Sequence, residues 1–459
     1  MKNKFLEESI LFVSIVKWTL LASVVGVLVG GGAVLFLKIL DGAISVSHDF
    51  VFSYPNFFFV LPLGFFLSSL LVYYIAPDAR GYGTEKIIEA VHRRAGKIRS
   101  MVIPVKMLAT VLTAAVGGSV GQIGPCAQIG AALSSMFAGV MRFDDGDRKK
   151  LVICGISAGF AAVLGAPISG AIFGVEILVV GAMLYEVLLP SFVAGLVSYQ
   201  VANTFGVPFF HAPIIQIPVF TDSFFIEVII AGIFFGICSV IMIETVKYCE
   251  KGALKIPLWE PAKALLGGLI LIALSLIFST KYLGLGTETV HLLLRGEKLP
   301  AYAFFAKSLF TGVTFAAGGS GGIIAPILFV GAAAGSLFGQ LSQLDLATFS
   351  AIGMVSVLAG TTNAPISASI LAMELFGREI GPFAALACVI GFLMTGHRSV
   401  FPTQLLALKK SSSVEVELGG EVSEVRARFK RREKSLIDKG LSALEKMKKR
   451  NDHDKRDQS

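Results

Sequence analysis

The chain has 459 residues, 54% hydrophobic and 16% charged, whereas a soluble globular domain carries about 25% charged residues. A mean hydropathy of +0.75 and 49 glycines exclude a soluble enzyme, a nucleic-acid-binding domain, and a disordered or disulfide-stapled secreted chain. The net charge of +8 marks no binding face, because residues 409–459 hold fifteen Lys and Arg against ten Asp and Glu, five of the eight charges.

A multi-pass membrane protein is the class that remains. Its first apolar run, Ile10 to Leu37, exceeds the roughly 20 residues needed to cross a bilayer. It is preceded by lysines and lacks a small-residue cleavage site, so it is expected to persist as a first membrane helix and not to be removed as a signal peptide. Apolar segments follow at about 51–75, 101–141, 151–206, 222–246, 262–279, 301–342, 348–375 and 380–396. Gly and Pro interrupt many of them, as in GGSVGQIGPCAQIGAA (117–132) and GGSGGIIAPILFVGAA (318–333). Inside a bilayer, broken backbone is tolerated only where protein or a water-filled cavity satisfies its polar groups. These two breaks therefore point to a pathway between discontinuous helices. Residues 1–408 form the membrane domain, and 409–459 a basic cytoplasmic tail too short for a regulatory domain. Within the tail, 426–450 has the composition of a solvated basic helix, with contact to lipid headgroups as a lesser option.

The chain repeats itself. RGYGTEKI (80–87) recurs as LGLGTETV (283–290), and Lys106 recurs as Lys307. Gly117-Gly118-Ser119, Gly121, Pro125 and Gly130 recur as Gly318-Gly319-Ser320, Gly322, Pro326 and Gly331. Gly155, Ala166-Pro167-Ile168-Ser169 and Glu176 recur as Gly353, Ala364-Pro365-Ile366-Ser367 and Glu374. Ordered matches at nearly constant spacing define two halves, about 10–206 and 222–405. Loops 76–105 and 142–150 carry ten basic residues, and their counterparts 279–306 and 340–351 carry three. By the positive-inside rule, equivalent loops then face opposite sides of the membrane. Inverted repeats are a transport architecture, with binding near the midplane where broken helices meet.

The broken-helix motifs suit a small anion. Helix N-termini offer unpaired N–H groups and a positive dipole end, and glycine allows close approach. Gly81-Tyr82-Gly83, Gly121 to Pro125 and Gly322 to Pro326 read as loop-to-helix junctions, with proline tolerated in the first turn. None of their ion-facing stretches carries an acid, as a cation site would; Glu85 and Glu288 lie just inside their helices, where they can act as caps. Glycines of this kind also serve close helix packing, but three junctions, two of them repeat-related, favour the anion reading. The five cysteines are scattered without a CxxC pair and imply no disulfide or metal site. The histidines (48, 92, 211, 291, 397 and 453) lie mostly near loops, and neither HExxH nor GxSxG occurs, so an intramembrane enzyme is not expected.

These motifs resemble the CLC family of chloride channels and chloride/proton antiporters, over roughly residues 15–405. Gly81 to Glu85 stands where the family has GSGIP, Gly121 to Pro125 where it has GREGP, and Gly322 to Pro326 where it has GIFAP. HRSVFPTQ (397–404) looks like the family's last helix. The resemblance implies an all-α membrane fold of two inverted repeats with re-entrant, discontinuous helices. It further implies a homodimer in the cell membrane, one pathway per subunit, with both termini cytoplasmic. No cofactor is implied, only chloride or similar anions as the transported ion. The anion-binding set carried over is Tyr82, Gly124, Ile323, Ile324 and Phe401.

The departures are informative. The gating glutamate of GREGP falls on Ile123 and the neighbouring arginine on Gln122. The antiporters' inner proton-transfer glutamate falls on Ile177, one residue after Glu176, which its counterpart Glu374 marks as structural. The pore serine becomes Tyr82, and the pore tyrosine becomes Phe401, which has no hydroxyl to donate. With no titratable group at either proton position, the sequence favours passive anion conduction, by a channel or by an uncoupled transporter with slow conformational steps. The alternative is an antiporter using another acid, such as Glu176.

Overall fold

A computed structural model describes residues 2–53, 57–210, 222–425 and 428–429. The Gly and Pro interruptions divide the described chain into sixteen α-helices, eight in each half. The first half holds α1 (Lys2–Ser53), α2 (Leu61–Ile75), α3 (Thr84–Arg93), α4 (Val102–Ala115), α5 (Ile123–Val140), α6 (Asp145–Leu164), α7 (Pro167–Glu176) and α8 (Tyr185–Thr204). The second holds α9 (Asp222–Leu254), α10 (Glu260–Ile277), α11 (Thr287–Leu294), α12 (Ala303–Ala316), α13 (Ile324–Ser342), α14 (Leu346–Thr362), α15 (Pro365–Phe376) and α16 (Gly381–Met394). Helix n of the first half corresponds to helix n+8 of the second.

The same local chemistry sets the boundaries in both halves. Asp144 caps α6 by accepting from Asp147 N–H, and Asp345 caps α14 by accepting from Thr348 N–H, each at 2.7 Å. Gly165 and Asn363 end those helices in the left-handed conformation. Pro167 and Pro365 then open α7 and α15, where a missing N–H leaves no bond unmade. Glycines bring paired helices together: a Cβ on Gly130 would overlap the Gly155 carbonyl, and one on Gly331 the Gly353 carbonyl. Here the close-packing role of glycine holds.

Seven of the described helices are long and apolar enough to cross a bilayer. The helices α3, α7 and α11, with 10, 10 and 8 residues, are too short. Ile10, Phe12, Leu276 and Ile277 are each more than 60% exposed, a surface suited to lipid and costly in water. The basic loops share one side, because Lys97 pairs with Asp145 at 3.2 Å, Lys17 with Asp147 at 2.8 Å, and Arg93 bonds Glu421 at 2.9 Å.

Two expectations change, for the first helix and for the tail. The first helix extends well past Leu37 and takes residues 51–53 from the segment expected at 51–75. At 1.5 Å per residue its 52 residues reach about 78 Å, more than twice the roughly 30 Å hydrocarbon core. Two short strand pairs join the expected helical fold: Val179–Val180 pairs in parallel with Leu405–Leu406, and Val414–Glu415 antiparallel with Arg428–Phe429. The chain after 408 also packs back on the membrane domain. Val416 and Val422 are buried with Val180 and Leu406, and Lys410 Nζ donates to Asn363 Oδ1 and the Phe392 carbonyl, both at 2.7 Å. Most of the helix expected at 426–450 lies outside the described residues, and the pair described there, Arg428–Phe429, is extended.

Candidate functional site

The two glycine-rich breaks meet each other. Gly121 N–H donates to the Gly322 carbonyl, and Gly322 N–H returns the bond to Gly121, each at 2.7 Å. A pseudo-two-fold relation between the halves therefore passes through this pair. Two residues on, α5 starts at Ile123 and α13 at Ile324, so two helix N-termini face the junction from opposite halves. The loop before α3 joins them: Gly81 bridges Ser320, and Gly83 turns into the helix at φ +84°. A Cβ on Gly124 would collide with the Tyr82 carbonyl and stand 2.9 Å from Gly322 Cα, so only glycine fits where the three chains converge.

This crossing brings together Tyr82, Ile123, Gly124, Ile323 and Ile324. First-turn N–H groups have no partner within their own helices, and those of Ile123, Gly124, Ile323 and Ile324 are gathered here. The crossing is occluded in this conformation, because Tyr82, Ile123, Ile323 and Ile324 are each at most 4% exposed. Gln122, the N-cap residue of α5, is half-buried and makes no side-chain cap bond.

Phe401 and Ile177 are tied to each other through Gln404. Both are fully buried, and Gln404 Nε2 donates to the Ile177 carbonyl at 2.7 Å and the Thr362 carbonyl at 2.8 Å. Val400 N–H bonds the Thr361 carbonyl at 3.0 Å, which fixes the Phe401 segment on the end of α14.

Glu176 has a structural partner. Its carboxylate accepts from Ile366 and Ser367 N–H at 3.0 and 2.8 Å, the first turn of α15. Glu374 returns the arrangement on Ile168 and Ser169 of α7 at 2.9 and 2.8 Å. Each carboxylate neutralises the positive end of the facing helix. The cap expectation for Glu85 is corrected, because its carboxylate makes no hydrogen bond among the described residues and instead lines a cavity with Glu250.

The sequence reading passed over four features of this region. Tyr82 turns its hydroxyl away from the crossing to donate to Glu250, with its ring edge-on to Phe315 at 4.6 Å. Lys106 and Lys307, recognised only as repeat markers, are fully buried. Lys106 Nζ donates to the carbonyls of Ala79 and Gly81 at 3.1 and 2.6 Å, and Lys307 Nζ to those of Tyr282 and Gly284 at 3.0 and 2.9 Å. Both side chains hold the carbonyls of the loops that lead into α3 and α11. The Thr84 hydroxyl and Gln128 Oε1 are buried without partners among the described residues, and Thr84 Oγ1 lies 3.6 Å from where a Gly124 Cβ would stand. A buried unpaired hydroxyl costs free energy unless something occupies it. The sequence held one usable signal, since Thr84 stands where the family motif has an apolar residue.

A family model described as voltage gated chloride channel matches residues 64–396. The chain is 32% identical over 403 residues to a chloride/fluoride channel protein of Pseudomonas syringae pv. tomato, covering 86% of this chain and 88% of the relative. It is 31% identical over 309 residues to a voltage-gated ClC-type chloride channel, ClcB, of Escherichia coli O81, covering 64% of this chain and 73% of that one. In fold it is similar to the crystal structure of a CLC-type fluoride/proton antiporter, with a TM-score of 0.81 and 23% identity, covering 85% of this chain and 98% of that one. A slow cyanobacterial Cl−/H+ antiporter gives a TM-score of 0.71 at 20% identity, covering 82% of this chain and 94% of that one. With its two repeats, paired breaks and these relatives, the chain belongs to the CLC family and is an anion-transport protein of the membrane.

Proposed function

We propose that the chain passes small anions, chloride and fluoride among them, down their gradient without stoichiometric proton exchange. Fluoride joins the reading from the Pseudomonas relative, whose name carries both ions. The observation that supports it best is apolar burial at both family proton positions. Ile123 is 2% exposed and Ile177 fully buried, and neither can carry a proton. Glu176, the nearby acid, is occupied by two N–H groups of α15.

In this reading the anion is held at the crossing by the N–H groups of Ile123, Gly124, Ile323 and Ile324, with Thr84 as the side-chain donor. Tyr82 contributes its backbone and ring, and Phe401 a carbon wall. No cationic side chain touches the ion. Passage requires the isoleucine at 123 to move, since an apolar plug offers an anion no compensation for its lost hydration. The side bearing the basic loops is the cytoplasmic one, and both termini lie there. The apolar face around Ile168, Ile366, Leu196 and Leu393 pairs two subunits, each with its own pathway. A detergent-corrected protein mass near a single 48.7 kDa chain would contradict the dimer.

The second reading, anion/proton exchange, has the antiporter fold neighbours in its favour. Reversal potentials separate the two. With equal anion concentrations and a pH gradient, passive conduction reverses at zero, and displacement toward the proton equilibrium would overturn the proposal.

A further inference from the structure

On the side of the basic loops, a cavity of about 260 Å³ is walled by Arg80, Tyr82, Glu85, Glu250, Lys263 and Phe315. Its two carboxylates come from different halves, Glu85 from the first turn of α3 and Glu250 from near the end of α9. The surrounding cations are engaged elsewhere. Arg80 pairs with Glu260 at 2.8 Å, Lys263 with Glu260 at 2.9 Å, and Lys86 with Glu89 at 2.9 Å. Among the described residues, neither Glu85 nor Glu250 is part of an ion pair. Glu250 instead accepts the Tyr82 hydroxyl, and the carbonyl of the same tyrosine abuts Gly124 at the crossing.

Two partly buried carboxylates that share one cavity, neither in an ion pair among the described residues and with Arg80 and Lys86 as the opposing charges, resist carrying two charges at once. Burial first, and then the Glu250 charge, push Glu85 up to about 7; Lys86 opposes this, while Glu89 and Glu421 add to it. The Cys249 thiol also adjoins Glu250.

We propose that Glu85 and Glu250 form a proton-binding site at this mouth, coupled to anion passage through Tyr82. The proposal rests on the reading that anions pass the Gly121–Gly322 crossing. When the pair is ionised, Glu250 holds the Tyr82 hydroxyl and the charges repel an approaching anion. A proton taken from the adjoining solution lowers that charge, weakens the hold on Tyr82 and frees the mouth. The proton returns to the same solution, because Ile123 and Ile177 give it no acceptor further along. It therefore regulates passage without being exchanged.

The test is anion flux through the full chain in oriented proteoliposomes, with pH varied only on the cavity side. Wild-type flux is expected to rise several-fold as pH falls through about 7. Glu250→Gln keeps an acceptor for Tyr82 but cannot ionise, so its flux should be high and nearly flat with pH. Tyr82→Phe keeps both acids and cuts the coupling, so most of the pH response should vanish. A carboxyl infrared band titrating near 7 in wild type should be lost in Glu85→Gln. A wild-type pH profile in Glu250→Gln overturns the proposal. Should that variant not fold, an unchanged profile in Glu85→Gln overturns it equally. Ile123→Glu separates the two failures. If it alters flux while the acid variants follow wild type, the pathway stands and the proton site falls; if none alters flux, the pathway reading falls.

Discussion

Removing the Glu176 carboxylate should loosen the contact between α7 and α15 while leaving transport uncoupled. Glu176 is 6% exposed and accepts two backbone N–H bonds, from Ile366 and Ser367. Hydrogen bonds to a charged group contribute roughly 1.5–3 kcal/mol each, so Glu176→Ala should cost about 3–6 kcal/mol. Glu176→Gln keeps one acceptor and opposes the other donor with its amide, so about half of that loss is expected. Glu374 makes the same bonds from a partly exposed position, where water can replace it. Glu374→Ala should therefore cost less, about 1–3 kcal/mol. Thermal unfolding of the purified variants in one detergent gives the order, and flux below the transitions shows whether the pathway survives. Equal stability of Glu176→Ala and wild type would refute the reciprocal-cap reasoning. So would a wild-type proton flux abolished by Glu176→Gln and retained in Glu374→Gln, since the carboxylate would then be a carrier.

Two further substitutions probe the crossing. Ile123→Glu should install a block relieved by acid, because an ionised carboxylate at the start of α5 competes with the anion for the same N–H groups. With the pH of the Glu85–Glu250 side held constant, its flux should rise as pH on the other side falls; a profile like wild type would mean that residue 123 does not face the pathway. Thr84→Val removes a hydroxyl beside Gly124 that is unpaired among the described residues, at nearly constant volume. It should weaken anion binding measured by calorimetry roughly tenfold, about 1.4 kcal/mol for one neutral hydrogen bond, and Thr84→Ser should restore it. Unchanged affinity in Thr84→Val would exclude the hydroxyl as a ligand.

Much of the architecture was legible because both halves use the same residue chemistry. The breaks at Gly117–Gln122 and Gly318–Ile323 fall between helices as read, and Gly130 with Gly155 and Gly331 with Gly353 are the close-packing glycines of their pairs. The equivalence of Glu176 and Glu374 was visible, and it pointed to a structural role; that each carboxylate caps the other half's helix needed the fold. Contacts between residues far apart in sequence left no local trace. Tyr82 and Glu250 are separated by 168 residues, and nothing in the sequence of α9 sets Glu250 apart from Glu244. Thr84 could be read as a departure from the family motif, but its lack of a partner exists only in three dimensions. The tail misled for a compositional reason: few apolar residues follow Leu408, yet Val416 and Val422 suffice to seat it on Val180 and Leu406. The first helix ran long because residues 38–53 are polar enough to end an apolar count but carry no proline, and the helix continues through Gly42.

Whether anions cross without protons is tested by recording both from the same vesicles. Wild-type proteoliposomes loaded with chloride are diluted into chloride-free buffer, with external chloride and pH followed together and potassium with valinomycin clamping the voltage. Chloride release is expected with no accompanying proton movement beyond that of protein-free vesicles, and the same result with fluoride. Proton transport driven uphill by the chloride gradient, in fixed ratio to chloride and absent from protein-free vesicles, would contradict it.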